Sequence, residues 1–170
     1  MLRRCSMLCV AAVFASLTVS PAAAAPSMAR LRPQSPRVAR WLADGMARSE
    51  TFRALVARIE RGDVIVYLES QASLGQGLAA CLRWMGSTPQ TRYVRASVRH
   101  DLSGRDALAM IAHELHHVVE LIEHSEVQSE PGLTALYQRI GHQTGTTGDR
   151  WDTTAALRTG DRVRVELLGA

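Results

Sequence analysis

The sequence predicts a small α+β domain, in which a three-stranded sheet packs on one amphipathic helix and further helices complete the core. Three observations support this fold class. Three segments rich in β-branched or alternating apolar residues all lie between residues 63 and 99. The strongest helical periodicity begins directly after them, at Ser103. Other helical segments lie before and after this region, so the strands form one run with helices around it.

The first 25 residues match the pattern of a secretory signal peptide. Arg3 and Arg4 give a basic start, and an apolar run from Met7 to Val19 is followed by small residues up to Ala25. The run is too short for a confident membrane span, so we expect cleavage that leaves no stable span. The absence of Lys and Asn is typical of a GC-rich bacterial genome. Export to the periplasm or the extracellular space is therefore predicted.

Beyond this segment, the chain is expected to consist of a polar linker and one domain. Residues 26–36 are polar and contain prolines, which predicts a disordered linker, and residues 37–170 suit a single domain. The formal charge of +4 falls to about +2 without Arg3 and Arg4, which is too small to favour nucleic-acid binding. Cys81 is then the one remaining cysteine, so no internal disulfide is expected.

The elements of the domain begin with two helices and a strand. Ser35 and Ser49 are expected to cap the helices, because a serine oxygen can accept a hydrogen bond from the first turn. Asp63 to Glu69 is rich in β-branched residues and predicts a strand. The two arms of a hairpin are predicted at Leu78–Trp84 and Thr91–Arg99.

The second arm of this hairpin alternates between apolar and polar residues. Val94, Ala96 and Val98 are expected to face the core, and the residues between them are expected to face water. A functional alternative is that this arm is an edge strand, which would pair with an extended peptide substrate.

The central helix is predicted to begin at Ser103, with Asp106 in position for a capping box. Its apolar residues form one stripe on a helical wheel, namely Leu108, Ile111, Ala112, Leu115, Val118, Val119 and Ile122. A further helix is expected from Ser129. A last helix is expected from about Arg150, with the apolar residues Trp151, Ala155, Leu157, Val163, Val165 and Leu167.

The central helix carries the motif His113-Glu114-x-x-His117. Residues four apart on a helix lie on one face, so the two imidazoles can bind one metal ion. Glu114 is then placed to take a proton from water. Both histidines lie opposite the apolar stripe, on a face that must look into solvent or into a cleft. This arrangement favours a metal site over two incidental histidines.

A catalytic zinc ion takes three protein ligands, so a third must come from elsewhere in the chain. The Cα of Glu120 lies roughly 10 Å along the helix axis from that of His113, which favours a supporting role that orients His117. Asp152, expected in the first turn of the last helix, is the preferred third ligand, although an acid there can simply stabilise the helix. Other candidates stay open, namely Cys81, Glu123, Glu126 and Glu130. His116 is expected at the rim of the site, and His124 is too far along the helix to join it.

These segments resemble the gluzincin branch of the zincin metallopeptidases, in which a second helix supplies an acidic ligand that is often followed three residues later by Ala. Asp152-Thr153-Thr154-Ala155 matches that pattern, with Asp in place of the usual Glu. The chain also resembles a group of small exported bacterial proteins with the longer signature H-E-L-x-H-x-x-E. That signature stands here as His113-Glu114-Leu115-His116-His117-Val118-Val119-Glu120.

The resemblance implies a zincin-like fold and zinc-dependent hydrolysis of peptide bonds. Zn²⁺ would be held by His113, His117 and Asp152, and Glu114 would act as the general base on a water that zinc activates. Possible donors to the oxyanion are Tyr137 and His142, which lie between the two expected ligand-bearing helices.

A short chain leaves few residues for a second lobe, so the cleft is expected to be shallow. The predicted substrate is then an exposed segment of a peptide or protein, or a partner completes the cleft. The alternative is a non-catalytic module that binds zinc or a protein partner, which the missing Glu ligand favours. Hydrolysis of a non-peptide substrate is a third possibility.

Overall fold

The computed structural model describes residues 28–75, 77–144 and 150–169. The elements in these ranges are β1 Leu31–Pro33, α1 Pro36–Arg48, α2 Glu50–Glu60, β2 Val64–Gln71, β3 Ala80–Ser87, β4 Arg92–Arg99, α3 Gly104–Glu123, α4 Glu130–Ile140, β5 His142–Thr144, β6 Arg150–Asp152 and α5 Thr154–Gly169. A mixed α and β composition was predicted and is confirmed. The expected signal peptide, residues 1–25, lies outside the described residues. None of the described helices is both long and apolar enough to cross a membrane.

The main sheet has four strands where three were predicted, in the order β1-β2-β4-β3. Strands β1 and β4 are both parallel to β2, and β3 is antiparallel to β4. The additional strand comes from the expected linker, so the prediction of disorder is wrong for residues 31–33. Leu31 is 2% exposed and lies in the core. A strand of three residues with one apolar side chain leaves no alternation to recognise in a sequence.

Strand β4 lies inside the sheet, and β3 forms one of its edges. The alternative in which β4 is an edge strand that binds a peptide is therefore wrong. The parallel pairing of β2 with β4 joins two strands that are not consecutive in the chain, which local patterns do not reveal. The predicted core face of β4 is confirmed, because Val94, Ala96 and Val98 are at most 1% exposed.

Serine caps begin four of the helices as the sequence predicted. Ser35, Ser49, Ser103 and Ser129 each accept a hydrogen bond from a backbone N–H in the first turn of the helix that follows. Ser103 also donates to Asp106 Oδ2 at 2.7 Å, and this link fixes the start of α3.

Helix α3 lies at the centre of the molecule, between the sheet and α5. The two helices approach closely at Gly160, where a Cβ atom would stand 2.9 Å from the carbonyl oxygen of Ala109 and 3.4 Å from Cβ of His113. A side chain at this position would push α5 away from α3. Gly160 is therefore a packing residue inside the last helix, Thr154–Gly169.

The last helix begins at Thr154, and not at Arg150 as predicted. Residues 150–152 form β6, which pairs with β5, so Trp151 belongs to a strand. Of the apolar residues expected on this helix, Val163 and Leu167 are buried, whereas Leu157 and Val165 are 42% and 66% exposed.

Candidate metal centre

The motif residues of α3 lie at a buried position where the helix meets β3, α4, β6 and α5. His113, Glu114, His117 and Glu120 are each at most 9% exposed. The polar face of α3 was expected to look into solvent or into a cleft, and it lines a cavity of about 240 Å³. The cavity is open to solvent, as the expected shallow cleft requires.

The far end of α3 is held against the sheet by a buried guanidinium. Arg92 of β4 is fully buried and donates to the carbonyl oxygens of Leu121 at 2.7 Å and His124 at 2.8 Å. Leu121 O also accepts from His124 N, and His124 O also accepts from Val127 N. Both carbonyls lie at the C-terminal end of α3, where the helix dipole is negative. The same guanidinium donates to both carboxylate oxygens of Asp63, which fixes α3 to the start of β2.

Three side chains converge at the cavity wall, namely His113, His117 and Asp152. One ligand atom of each lies within 4.8 Å of the other two. Asp152 Oδ1 stands 3.4 Å from His113 Nε2 and 3.4 Å from His117 Nε2. The structure thus brings the preferred third residue to the histidine pair, although the two parts are far apart in the chain.

The two separations from Asp152 Oδ1 match those between ligands of one metal ion. Ligands at about 2.0–2.1 Å from a tetrahedral zinc ion stand roughly 3.3–3.4 Å from one another. A hydrogen bond between an imidazole N–H and a carboxylate is shorter, at about 2.7–2.9 Å. Two imidazole nitrogens and one carboxylate oxygen also form a donor set that zinc accepts, with room for a fourth ligand on the cavity side. His113, His117 and Asp152 are therefore a group that could hold a metal ion.

The carboxylate of Glu120 fixes the orientation of His117, in the supporting position that the sequence predicts. His117 Nδ1 lies 2.8 Å from Glu120 Oε2. An ionised carboxylate can only accept, so Nδ1 donates its hydrogen to Glu120, and Nε2 is the ring nitrogen that faces the position of a metal ion. Thr153 donates to the other oxygen of Glu120 at 2.6 Å, and its hydroxyl also accepts from Ala156 N at the start of α5.

The ionisation of the cluster follows from burial and from neighbouring charges. Burial raises the pKa of Glu114 to about 7, since its carboxylate has left water. Burial also lowers the pKa of His113. Burial alone would lower the pKa of His117, but the carboxylates of Asp152 and Glu120, which lie next to its two ring nitrogens, raise it to about 9. Burial opposes ionisation of Asp152, yet the two histidines hold the pKa of its carboxyl below the usual value.

Glu114 carries a buried carboxyl at the wall of the cavity. Its side chain is 4% exposed and lines the cavity beside the histidine pair. His113 Nδ1 is also buried, without a hydrogen-bond partner among the described residues. Buried polar groups without partners are costly and are concentrated at functional sites.

The two expected oxyanion donors lie at different distances from the cavity. Tyr137 lines it, but its hydroxyl donates to the carbonyl oxygen of His117 at 2.9 Å and its ring packs edge-on against that imidazole. Its donation to an oxyanion would therefore break an existing hydrogen bond. His142 lies opposite Asp152 in the β5–β6 ladder, yet its side chain is exposed and is absent from the described lining of the cavity.

The remaining ligand candidates are placed elsewhere. Glu123 pairs with Arg58, Glu126 pairs with His124 and Arg139, and Glu130 is exposed at the start of α4. His116 Nδ1 lies 3.0 Å from the hydroxyl of Thr159, on the side of α3 that faces α5. Cys81 lines the cavity but does not belong to the cluster of ligand atoms.

Asp152 reaches the cluster by a route that the sequence did not indicate. It is the last residue of β6 and precedes α5, so it does not lie in the first turn of a helix as expected. Its Oδ1 accepts from Thr153 N at 2.7 Å, within the bend between strand and helix. Sequence patterns also missed three residues of β5 and β6 that line the cavity, namely Thr144, Arg150 and Trp151. One indication in the sequence that Arg150 and Trp151 could line the cavity is that they directly precede the candidate ligand Asp152.

Comparison of the chain with protein-family models, with curated proteins and with solved structures finds no match.

Proposed function

We propose that this protein is an exported bacterial zinc-dependent hydrolase that cleaves peptide bonds, built on a zincin-like fold. The convergence of His113, His117 and Asp152, with Asp152 Oδ1 equidistant at 3.4 Å from both imidazole nitrogens, is the observation that carries this proposal. The same side chains that suit a metal ion line a cavity that a peptide can enter. The resemblance of the motif to zincin metallopeptidases adds the reaction class.

Each residue of the site then has a distinct task. A bound zinc ion would polarise the substrate carbonyl and lower the pKa of a water molecule. Glu114, which lies next to His113 in the chain and lines the same cavity, accepts the proton of the attacking water and passes it to the leaving amine. Glu120 holds the His117 ring through Nδ1, and Thr153 holds Glu120. One edge of β3 pairs with none of the described strands, and it borders the cavity through Ala80 to Leu82, where an extended peptide can pair with the strand.

The first test combines metal analysis with peptide cleavage. We expect one zinc ion per chain in the purified protein and cleavage of a random peptide library by the wild type. Glu114→Gln should retain zinc and lower kcat by at least about 100-fold, because it removes the base and keeps the shape of the side chain. Stoichiometric zinc without cleavage would contradict the enzyme and support the non-catalytic module. Iron in place of zinc would contradict the proposed metal, since two histidines and one carboxylate also bind iron.

The same assay distinguishes the third ligand from the supporting acid. Asp152→Ala should abolish stoichiometric zinc binding. Glu120→Ala should retain the zinc site and weaken its affinity by about 10–100-fold, because the His117 ring loses its orienting carboxylate. Loss of zinc in Glu120→Ala together with retention in Asp152→Ala would reverse the two assignments.

A further inference from the structure

A second cavity, of about 220 Å³, lies beside the cavity that contains the metal ligands. The two cavities share three wall residues, Leu82, Tyr137 and Trp151. They are therefore neighbouring compartments of one depression, and a molecule bound over the metal ligands can extend from one into the other.

Most of the residues that line the second cavity are aliphatic or aromatic. Five of the eight are of this kind, namely Leu82, Trp84, Leu133, Tyr137 and Trp151. The polar residues of its lining, Arg83, Glu130 and Thr134, are all exposed. The aliphatic and aromatic part of this wall offers a contact surface to a large aliphatic or aromatic side chain.

Strand β3 connects the two compartments. Its first residues line the cavity of the metal ligands, and Leu82 to Trp84 line the second cavity. Leu82 and Trp84 pair with Ala96 and Val94, so both point to the side of the sheet that faces the helices. An extended peptide that pairs with the edge of β3 that faces away from β4 would direct every second side chain to this same side.

The direction of β3 sets which end of the substrate reaches the second cavity. The strand runs from Ala80, which lines the cavity of the candidate metal ligands, to Trp84, which lines the second cavity. A peptide that pairs in the more stable antiparallel direction runs the opposite way. Its N-terminal part then lies over the second cavity, and its chain reaches the metal ligands afterwards.

We propose that the second cavity is a specificity subsite, which accepts a bulky apolar or aromatic side chain from the N-terminal side of the scissile bond. This inference rests on the proposed peptidase function and adds a substrate class to it. The protein would thus select peptides by a large apolar residue before the cleaved bond.

A peptide library with every position randomised tests the proposal, with cleavage sites read by mass spectrometry. We expect the zinc-loaded wild type to cleave after sequences with a bulky apolar residue on the N-terminal side. Thr134→Trp should fill the subsite from an exposed position of α4 and lower kcat/KM for such peptides at least about tenfold. Peptides with Gly or Ala at that position should change less than about twofold.

Ala135→Trp is the matched control, because Ala135 is exposed next to Thr134 and does not line the cavity. Cleavage without this preference, a preference on the C-terminal side, or a preference that Thr134→Trp leaves unchanged would overturn the subsite alone. If the wild type cleaves no library member, both the subsite and the proposed function are overturned.

Discussion

The hydroxyl of Thr153 makes two hydrogen bonds that join the start of a helix to the candidate metal centre. It accepts from Ala156 N at 3.1 Å, as the cap of α5, and donates to Glu120 Oε1 at 2.6 Å. Glu120 in turn holds the His117 ring. One side chain thus positions both the helix behind Asp152 and the orientation of a ligand on α3.

Replacement of the Thr153 side chain should therefore weaken zinc binding, although only the backbone N–H of this residue contacts a candidate ligand atom, Asp152 Oδ1. We expect Thr153→Val to lower zinc affinity by about tenfold, since Glu120 loses a partner, and to cost about 1 kcal/mol of stability through the lost cap. Competition with a zinc chelator and urea unfolding measure the two effects.

Thr153→Ser keeps the hydroxyl and is the matched control for this experiment. It should bind zinc as the wild type does, within about twofold. Equal losses of zinc affinity in the Val and Ser variants would show that the side-chain shape matters and that the hydrogen bonds do not.

At the scale of single residues, the sequence predicts the relative positions of side chains that are close together in the chain. The four-residue spacing of His113 and His117, and the three-residue step from His117 to Glu120, determine their relative positions on any helix. Asp152 was selected partly from an expected helix start that the structure replaces with a strand. Its approach to the histidines depends on the β5–β6 ladder, which no local pattern indicated.

At the scale of elements, the junction of β4, β2 and the end of α3 determines where the helix with the two candidate histidine ligands lies. The buried guanidinium of Arg92 donates to Asp63 and to the backbone carbonyls of Leu121, in the last turn of α3, and His124, just after the helix. Burial alone would raise the pKa of Asp63, but Arg92, with a smaller contribution from Arg30, holds it below the ordinary value of 3.8. The charged form of Asp63 is therefore favoured in the folded state.

This shift predicts how stability depends on pH. A carboxyl whose pKa is lowered by folding contributes fully above its unfolded value, and the contribution is lost as pH falls through the folded value. We expect Asp63→Asn to destabilise the protein by about 1 kcal/mol at pH 7, because Asp63 is half in water and screening weakens the pair. The difference from the wild type should shrink below about pH 4 and vanish at lower pH.

Urea unfolding at several pH values from 7 down to 3 measures this difference. Asp44→Asn removes an exposed pair with Arg48 within α1 and should change stability by less than about 0.5 kcal/mol at pH 7. A difference between Asp63→Asn and the wild type that is the same at pH 7 and pH 3 would contradict the assigned ionisation.

The sequence predicted the elements in this region but not their junction. The cap of α3 by Ser103 and the alternation of β4 depend on neighbours in the chain, and both are confirmed. Arg92 begins β4, and no local pattern indicated a partner for its guanidinium. Its burial follows from the parallel pairing of β2 with β4, which brings Asp63 and the end of α3 to the same place.

At the scale of the whole molecule, the candidate metal centre joins the central helix α3 to the β5–β6 sheet. His113 and His117 belong to the central helix, whereas Asp152 ends the small β5–β6 sheet that leads into α5. Helix α5 packs on α3 at Gly160, where the backbone of one helix meets the other. The mixed α and β class was predictable from strand and helix periodicity. The contact of α3 with the β5–β6 sheet and α5 was not, because it joins distant parts of the chain.

A metal ion at this centre should therefore stabilise the whole fold, because the unfolded chain does not hold the three ligands together. Free zinc at about 100 times its dissociation constant adds about 2.7 kcal/mol to the free energy of unfolding. For a chain of this size, that corresponds to a rise in Tm of roughly 5–10 °C. Calorimetry of the chelator-treated protein, with and without added zinc, measures the shift.

Two variants separate specific binding from other effects of zinc in this experiment. Glu114→Gln keeps the ligands and should show the full rise in Tm, whereas the double variant His113→Ala/His117→Ala should show none. A rise of the same size in the double variant would place the stabilising ion elsewhere. A full rise in Tm in Asp152→Ala would show that the residues of α3 bind the ion without Asp152. The ion would then not connect α3 to the β5–β6 sheet.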